Sequence, residues 1–192
     1  DICVFLGSNP GAHPDYELAA RALGKALARK GLGLVYGGSD VGLMGILAGE
    51  VLAAGGRVKG VIPKALQDKE IAHQGLTELL VVDSMHQRKA AMAEQSEGFI
   101  AIPGGLGTME ELFEILTWAQ LGFHQKPCGL LNVRGYYDGL LSFLDTMTSQ
   151  CFVREEHRAM LLTAEDPIEL LGAFERYSPP AVSKWGGEKD IP

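Results

Sequence analysis

Short apolar runs alternate along the chain with longer segments whose apolar residues recur at helical spacing. The runs at 2–6, 33–36, 57–62, 79–82, 99–102 and 129–132 read as strands, being brief, β-branched or aromatic, and bounded by glycine, proline or polar residues. Helical periodicity covers 16–29, 43–54, 85–97, 109–121 and 137–149, and residues 63–75 read as a polar loop or a short helix. In the first helix Leu18, Ala22, Leu23, Ala26 and Leu27 share one face, with Glu17, Arg21, Lys25 and Arg29 largely opposite and Gly31 as the stop. Strands regularly followed by helices predict an α/β fold, a Rossmann-like doubly wound parallel sheet in a single domain. That domain is expected over residues 1–177, with 178–192 as a tail of little periodicity.

The chemistry-bearing residues fall just after the strands: Gly7-Ser8, Gly37-Gly38-Ser39, Asp83-Ser84 and Gly104-Gly105. In an open parallel sheet the carboxyl ends of the strands share one edge, and ligands bind in the crevice there. Four corners of this kind therefore predict one pocket. The fullest is Pro103-Gly104-Gly105-Leu106-Gly107-Thr108-Met109-Glu110-Glu111. Its glycines let backbone N–H groups approach an anion, and the first turn of the following helix adds positive partial charge, so a phosphorylated ligand is expected beside paired acids. The same residues admit a structural reading, because Thr108-x-x-Glu111 is also a capping-box pattern.

Composition narrows the partners. The chain has 192 residues, 46% of them hydrophobic, enough for one α/β core and short for two. A formal charge of −7 argues against nucleic acid, and no polybasic block or span-length apolar stretch points to a membrane. The three cysteines, Cys3, Cys128 and Cys151, lack the spacing of a disulfide framework or a zinc site. No charged-apolar-small leader is recognisable, which sets the cytoplasm as the expected compartment.

The glycine element Gly37-Gly38-Ser39-Asp40-Val41-Gly42-Leu43-Met44-Gly45 matches neither common nucleotide signature. A Walker loop needs Lys and Ser or Thr after its last glycine, and a dinucleotide fingerprint follows the first strand with an acid closing the next. What remains is a glycine turn into a helix, suited to a mononucleotide phosphate or to close packing by Gly42 and Gly45.

Three motifs in order, Gly37-Gly38-x-x-x-Gly42-Leu43-Met44-Gly45, Ser84-Met85-His86-x-Arg88-Lys89 and Pro103-Gly104-Gly105-x-Gly107-Thr108-x-x-Glu111, resemble the LONELY GUY family, often mislabelled lysine decarboxylase. The likeness runs from Cys3 to about Arg154 and includes Thr117-Trp118-Ala119-Gln120-Leu121-Gly122. It departs at Leu6 and Asn9, where such proteins commonly carry Cys and Ser, and at Ser39, where a third glycine is usual.

The resemblance implies hydrolysis of the N-glycosidic bond of adenine-type, N6-substituted nucleoside 5′-monophosphates to free base and ribose 5-phosphate. It assigns catalysis to Arg88 and Glu111. That chemistry develops oxocarbenium character on the ribose and negative charge on the base, so it calls for a carboxylate and a cationic donor. Glu111 would hold the ribose hydroxyls and stabilise or activate water, while Arg88 orients the nucleotide; a surface ion pair is the plainer reading of Arg88. Phosphate binding is assigned to Gly104, Gly105, Gly107 and Thr108, with Gly38 and Ser39 as weaker candidates. Glu110, Met85 and Lys89 complete the substrate-binding set, although a methionine at helical spacing is more often core. No metal and no cofactor is expected. The family further implies a homodimer, for which the apolar stretch from Trp118 to Phe123 offers a face. Two other classes share some of these features. A pyridoxal-phosphate decarboxylase would need a fuller set around Lys89, and a non-catalytic nucleotide carrier on the same fold would need no Arg88 and Glu111 pair.

Overall fold

Seven parallel strands, β1 (Ile2–Phe5), β2 (Leu34–Tyr36), β3 (Val58–Pro63), β4 (Glu78–Val82), β5 (Gly98–Ala101), β6 (Cys128–Leu131) and β7 (Leu161–Ala164), form one sheet ordered β4-β3-β2-β1-β5-β6-β7 in a computed structural model. The structure describes residues 1–67 and 72–180. The chain winds outward from β1 in one direction through β4 and then returns to place β5 on its other side. The order therefore reverses at β1, with Ile2 to Phe5 in register with Gly98 to Ala101. That reversal opens a crevice at the carboxyl ends of β1 and β5.

The expected doubly wound sheet is observed, and β1 shows how it is built. Ile2, Val4 and Leu6 face one apolar layer with Leu23, Leu27, Leu47 and Leu170, while Cys3 and Phe5 face a second with Met92, Leu112, Ile115 and Leu144. Alternate side chains of a strand point to opposite faces, and here both faces are dry. Helices α1 (Pro14–Arg29), α2 (Gly42–Ala53) and α8 (Pro167–Glu175) supply the first layer; α4 (Met85–Glu94), α5 (Leu106–Gln120) and α6 (Asp138–Ser149) supply the second. Each fully buried aliphatic side chain contributes about 1.5–3 kcal/mol. Leu112 and Ile115 thus fix α5, and with it the glycine turn, against the sheet.

Several details differ from the expectations. α1 begins at Pro14 after the His13 cap and stops as expected, with Gly31 at φ +70. Its buried stripe, however, is Ala20, Leu23, Gly24, Ala26 and Leu27, leaving Leu18 61% exposed and Ala22 exposed. The cause is close packing on α2: a Cβ on Gly24 would lie 3.0 Å from Glu50 Cβ and 3.2 Å from the Leu47 carbonyl. α4 ends at Glu94 rather than 97, and α5 begins at Leu106, three residues before the expected 109. Within the expected loop at 63–75, Lys64–Gln67 form the short helix α3, and residues 68–71 lie outside the described residues. The edge strand β7, the turn of helix α7 (Glu155–Arg158) and α8 were not anticipated. In the expected tail, Ser178 to Pro180 carry no regular structure, and 181–192 lie outside the described residues.

Candidate active site

The carboxyl edge of the sheet holds a cavity of about 320 Å³ at the β1–β5 reversal. Gly7 and Ser8 after β1, Gly37 after β2, Met85 and Arg88 on α4, and Gly105 to Thr108, Glu110 and Glu111 on the α5 turn all border it. A larger cavity of about 460 Å³, lined by Phe99, Trp118 and Phe123 among others, sits by the amino ends of β5 and β6 and contains no glycine turn. The convergence of backbone donors, a cation and two acids makes the first cavity the candidate site.

Arg88 is 6% exposed, which overturns the surface ion-pair reading. Ser84 caps α4 by accepting from Gln87 N at 3.2 Å, and Gln87 Oε1 accepts from Asp83 N at 2.8 Å. This reciprocal pair sets the helix so that Arg88, one turn in, points beneath the cavity. Its Nε donates to the Val61 carbonyl at 3.1 Å and its Nη2 to the Gly37 carbonyl at 2.9 Å. These two carbonyls orient the guanidinium. Gly37 is needed for this arrangement: a Cβ there would overlap Arg88 Nη2 and Met44 Cε.

The capping-box reading of Thr108 and Glu111 fails for a geometric reason. Gly105 occupies the N-cap with no side-chain cap, which places Thr108 inside the first turn. Its side chain is 3% exposed and fills the space a Cβ on Gly104 would occupy. Glu111 therefore has no capping duty and turns, half-buried, to the cavity. The first helical bond of α5 runs from Met109 N to the Gly105 carbonyl at 3.2 Å, so the N–H groups of residues 105–108 precede the ladder at the positive end of the helix. Gly105 and Gly107 have open space where a Cβ would be, on the rim available to a ligand.

Charge in the site reaches the sheet below. The Cys3 thiol, wholly buried in β1, is pushed well above its ordinary value, first by burial and next by the negative charge of Glu111, with a Ser96 hydrogen bond and the positive Arg88 opposing. Arg88 and Glu111 thus both bear electrostatically on Cys3 in β1.

Other expected residues sit differently. Lys89 lies outside the cavity wall and pairs with Glu110 and with Glu114, the latter at 3.1 Å. Burial lowers its pKa, but the hydrogen bonds to the two carboxylates outweigh that and raise it. It therefore holds Glu110 at the rim. Gly38, at φ +79, packs on Ile62 and Leu79, and its carbonyl accepts from His73 N at 3.1 Å. Ser39 is fully buried, with its Oγ accepting from Val41 N at 3.3 Å. Both stand behind the cavity wall. Gly42 and Gly45 are packing residues, since a Cβ would strike Ser8 at the first and the Asp40 carbonyl at the second. Met85 does border the cavity and is 42% exposed. His86 is exposed.

Val4, Leu66 and Met92, which border the cavity beside the motif positions Leu6 and Met44, were not singled out from the sequence. They are scattered along the chain and carry no local signal beyond ordinary core periodicity. Ser8 had one, its place directly after β1. Among the described residues no group of three or more His, Cys, Asp or Glu is placed to hold a metal ion, and no helix is long and apolar enough to cross a membrane.

Comparison with known proteins bears on this geometry. The family model described as possible lysine decarboxylase matches residues 44–174. The probable cytokinin riboside 5′-monophosphate phosphoribohydrolase LOGL5 of Oryza sativa subsp. japonica is 49% identical over 179 residues, covering 93% of this chain and 73% of the relative. The cytokinin riboside 5′-monophosphate phosphoribohydrolase LOG7 of Arabidopsis thaliana is 49% identical over 178 residues, covering 93% and 82%. Among solved structures, the molybdenum cofactor binding protein of the phototrophic bacterium Rippkaea orientalis shares the fold, with TM-score 0.67, 24% identity, and coverage of 90% of this chain and 95% of that one. The matched residues include the Ser84–Arg88 corner and the Gly104–Glu111 turn, and with them the chain belongs to the LOG family of cytokinin riboside 5′-monophosphate phosphoribohydrolases.

Proposed function

We propose that the protein hydrolyses the N-glycosidic bond of adenine-type, N6-substituted nucleoside 5′-monophosphates, releasing the free base and ribose 5-phosphate. The observation that carries this reading is a buried Arg88 that borders the same cavity as Glu111 and the start of α5. The names of the relatives, at about half identity over most of the chain, agree with it.

In this reaction the 5′-phosphate is bound by the N–H groups at Gly105, Gly107 and Thr108, with Gly104 shaping the turn. Hydrogen bonds to an ion are worth roughly 1.5–3 kcal/mol each, so two or three select a nucleotide over its nucleoside by several orders of magnitude. Glu111 faces the ribose, stabilising the developing oxocarbenium ion and orienting water toward the anomeric carbon. Arg88 offsets the negative charge that gathers on the departing base. Loss of such a positioned acid–base or electrostatic group costs about 10²–10⁴ in rate. Met85, Met44 and Met92 give the base an apolar, adaptable wall. Every group invoked comes from the chain, and the mechanism draws on no metal or cofactor.

In the same reading residues 1–177 are the catalytic unit and 178–192 a tail, and the protein acts in the cytoplasm as a homodimer. The 74% exposure of Phe123 beside Trp118 supports an interface on that face. The test of function compares AMP, N6-isopentenyladenosine 5′-monophosphate, adenosine and CMP by chromatography. Release of base from the two adenine nucleotides, fastest with the N6-substituted one, is expected; equal turnover of adenosine and AMP would contradict the phosphate assignment.

A further inference from the structure

The loop after β6 presses two tyrosines onto the glycine turn. Tyr136 Oη donates to the Gly104 carbonyl at 2.6 Å, and Tyr137 Oη donates to the Ile102 carbonyl at 2.8 Å. Between them the Pro103 carbonyl accepts from Gly7 N at 3.2 Å. Three successive carbonyls leading into α5 are thus each held by a donor.

The loop that carries the tyrosines is itself fixed. Asn132 Oδ1 accepts from Tyr137 N at 2.7 Å, and Asn132 Nδ2 donates to Asp138 at 2.7 Å. Arg134 adopts φ +56, uncommon for a residue with a Cβ, and donates to Asp15 at 2.9 Å. The Tyr136 ring meets Tyr16 and Tyr137 edge-on, with centroids 5.8 and 4.9 Å away.

The Gly104 carbonyl matters because of what shares its peptide plane. In a trans peptide the C=O and the next N–H point in opposite directions, so a donor that fixes the Gly104 carbonyl also aims the Gly105 N–H away from Tyr136. This peptide lies between two glycines and would otherwise turn over readily. Such a flip rotates ψ of Gly104 and φ of Gly105, now −96, by about half a turn, into the positive-φ range that glycine enters without penalty. A flipped peptide would present a carbonyl to the anion in place of an N–H.

We propose that Tyr136 is a positioning residue for phosphate: its hydroxyl locks the Gly104–Gly105 peptide in the orientation that offers the Gly105 N–H to the 5′-phosphate. The inference rests on the phosphoribohydrolase reading of the site, and it is tested by binding as well as by turnover.

Tyr136→Phe removes the hydroxyl and keeps the ring contacts. Calorimetric binding of ribose 5-phosphate should weaken about 3- to 10-fold, the range set by one hydrogen bond, and KM for AMP should rise in parallel with a smaller change in kcat. A Gly105→Ala background supplies the control. A Cβ there meets nothing within 4 Å, and alanine resists the flipped, positive-φ state, so the Tyr136→Phe penalty should shrink when residue 105 is alanine. Unchanged ribose 5-phosphate affinity in Tyr136→Phe, or the same penalty in both backgrounds, would overturn the lock. Absence of AMP turnover in the wild type would refute the proposed reaction instead, and leaves the binding comparison readable.

Discussion

Replacing Gly37 by alanine perturbs Arg88 without touching its charge. Gly37 lies outside the positive-φ region, so alanine suits the backbone and the conflict is purely steric: the new Cβ would overlap Arg88 Nη2 and Met44 Cε. The guanidinium must then leave the Gly37 carbonyl, now 2.9 Å from Nη2, while its 3.1 Å bond to the Val61 carbonyl can persist. Overpacking of this kind costs about 1–3 kcal/mol of stability, and a displaced charge-assisted hydrogen bond about 1.5–3 kcal/mol in the site. A folded protein with a lowered melting temperature and a kcat/KM for AMP reduced roughly 10–10²-fold is expected. Steady-state kinetics on Gly37→Ala, Arg88→Ala and the double variant decide the matter. If Gly37 acts through Arg88, the double variant is no worse than Arg88→Ala alone. Wild-type turnover in Gly37→Ala, or losses that multiply in the double variant, would refute the reasoning.

Glu111→Gln preserves shape and removes the carboxylate; because α5 is capped at Gly105 instead, melting should be near wild-type while turnover falls about 10²–10⁴-fold, and retained turnover would remove Glu111 from the chemistry. Arg21 hydrogen bonding holds the Glu50 carboxyl below its ordinary value, against partial burial and with help from Lys25. Its stabilising effect is therefore complete above the unfolded pKa of about 4.3 and is lost as pH falls through the lower folded value. Glu50→Gln should melt below wild type at pH 7, and the gap should close on acidification; a gap constant with pH would contradict the pairing. Burial pushes the Cys128 thiol up to about 12 and Cys3 well above its usual range, while Cys151 is exposed, so native protein should react with one equivalent of a thiol reagent and unfolded protein with three.

Much of the fold was legible because strands buried on both faces leave continuous apolar runs, and glycine corners after three strands with Asp83-Ser84 after a fourth mark the carboxyl edge. β7 escaped notice because, paired only with β6 among the described residues, it is fully buried only at Leu161, and the exposed Thr163 breaks its apolar run. The face of α1 was misjudged by periodicity alone: Leu18 fits the stripe, but the small residue Gly24 draws α2 close and turns the helix about its axis. Within the site, Arg88 and Glu111 were identifiable by motif, yet their surroundings were not. A surface pair is the usual state of an arginine, and its burial depends on two carbonyls 27 and 51 residues away in sequence. The capping pattern at Thr108 misled because glycine can begin a helix without a side-chain acceptor. Gly38 and Ser39 looked like ligand-binding residues from their place after β2, whereas contacts with residues 72 and 73 pack them behind the wall.

The central claim is that Arg88 and Glu111 face one nucleotide and break its glycosidic bond. The most direct measurement mixes N6-isopentenyladenosine 5′-monophosphate with an excess of protein and quantifies nucleotide, free base and ribose 5-phosphate over time. Equal amounts of base and ribose 5-phosphate, appearing as the nucleotide disappears and absent with Glu111→Gln, are expected. Nucleotide that remains bound and intact would contradict the account and make the cavity a carrier site.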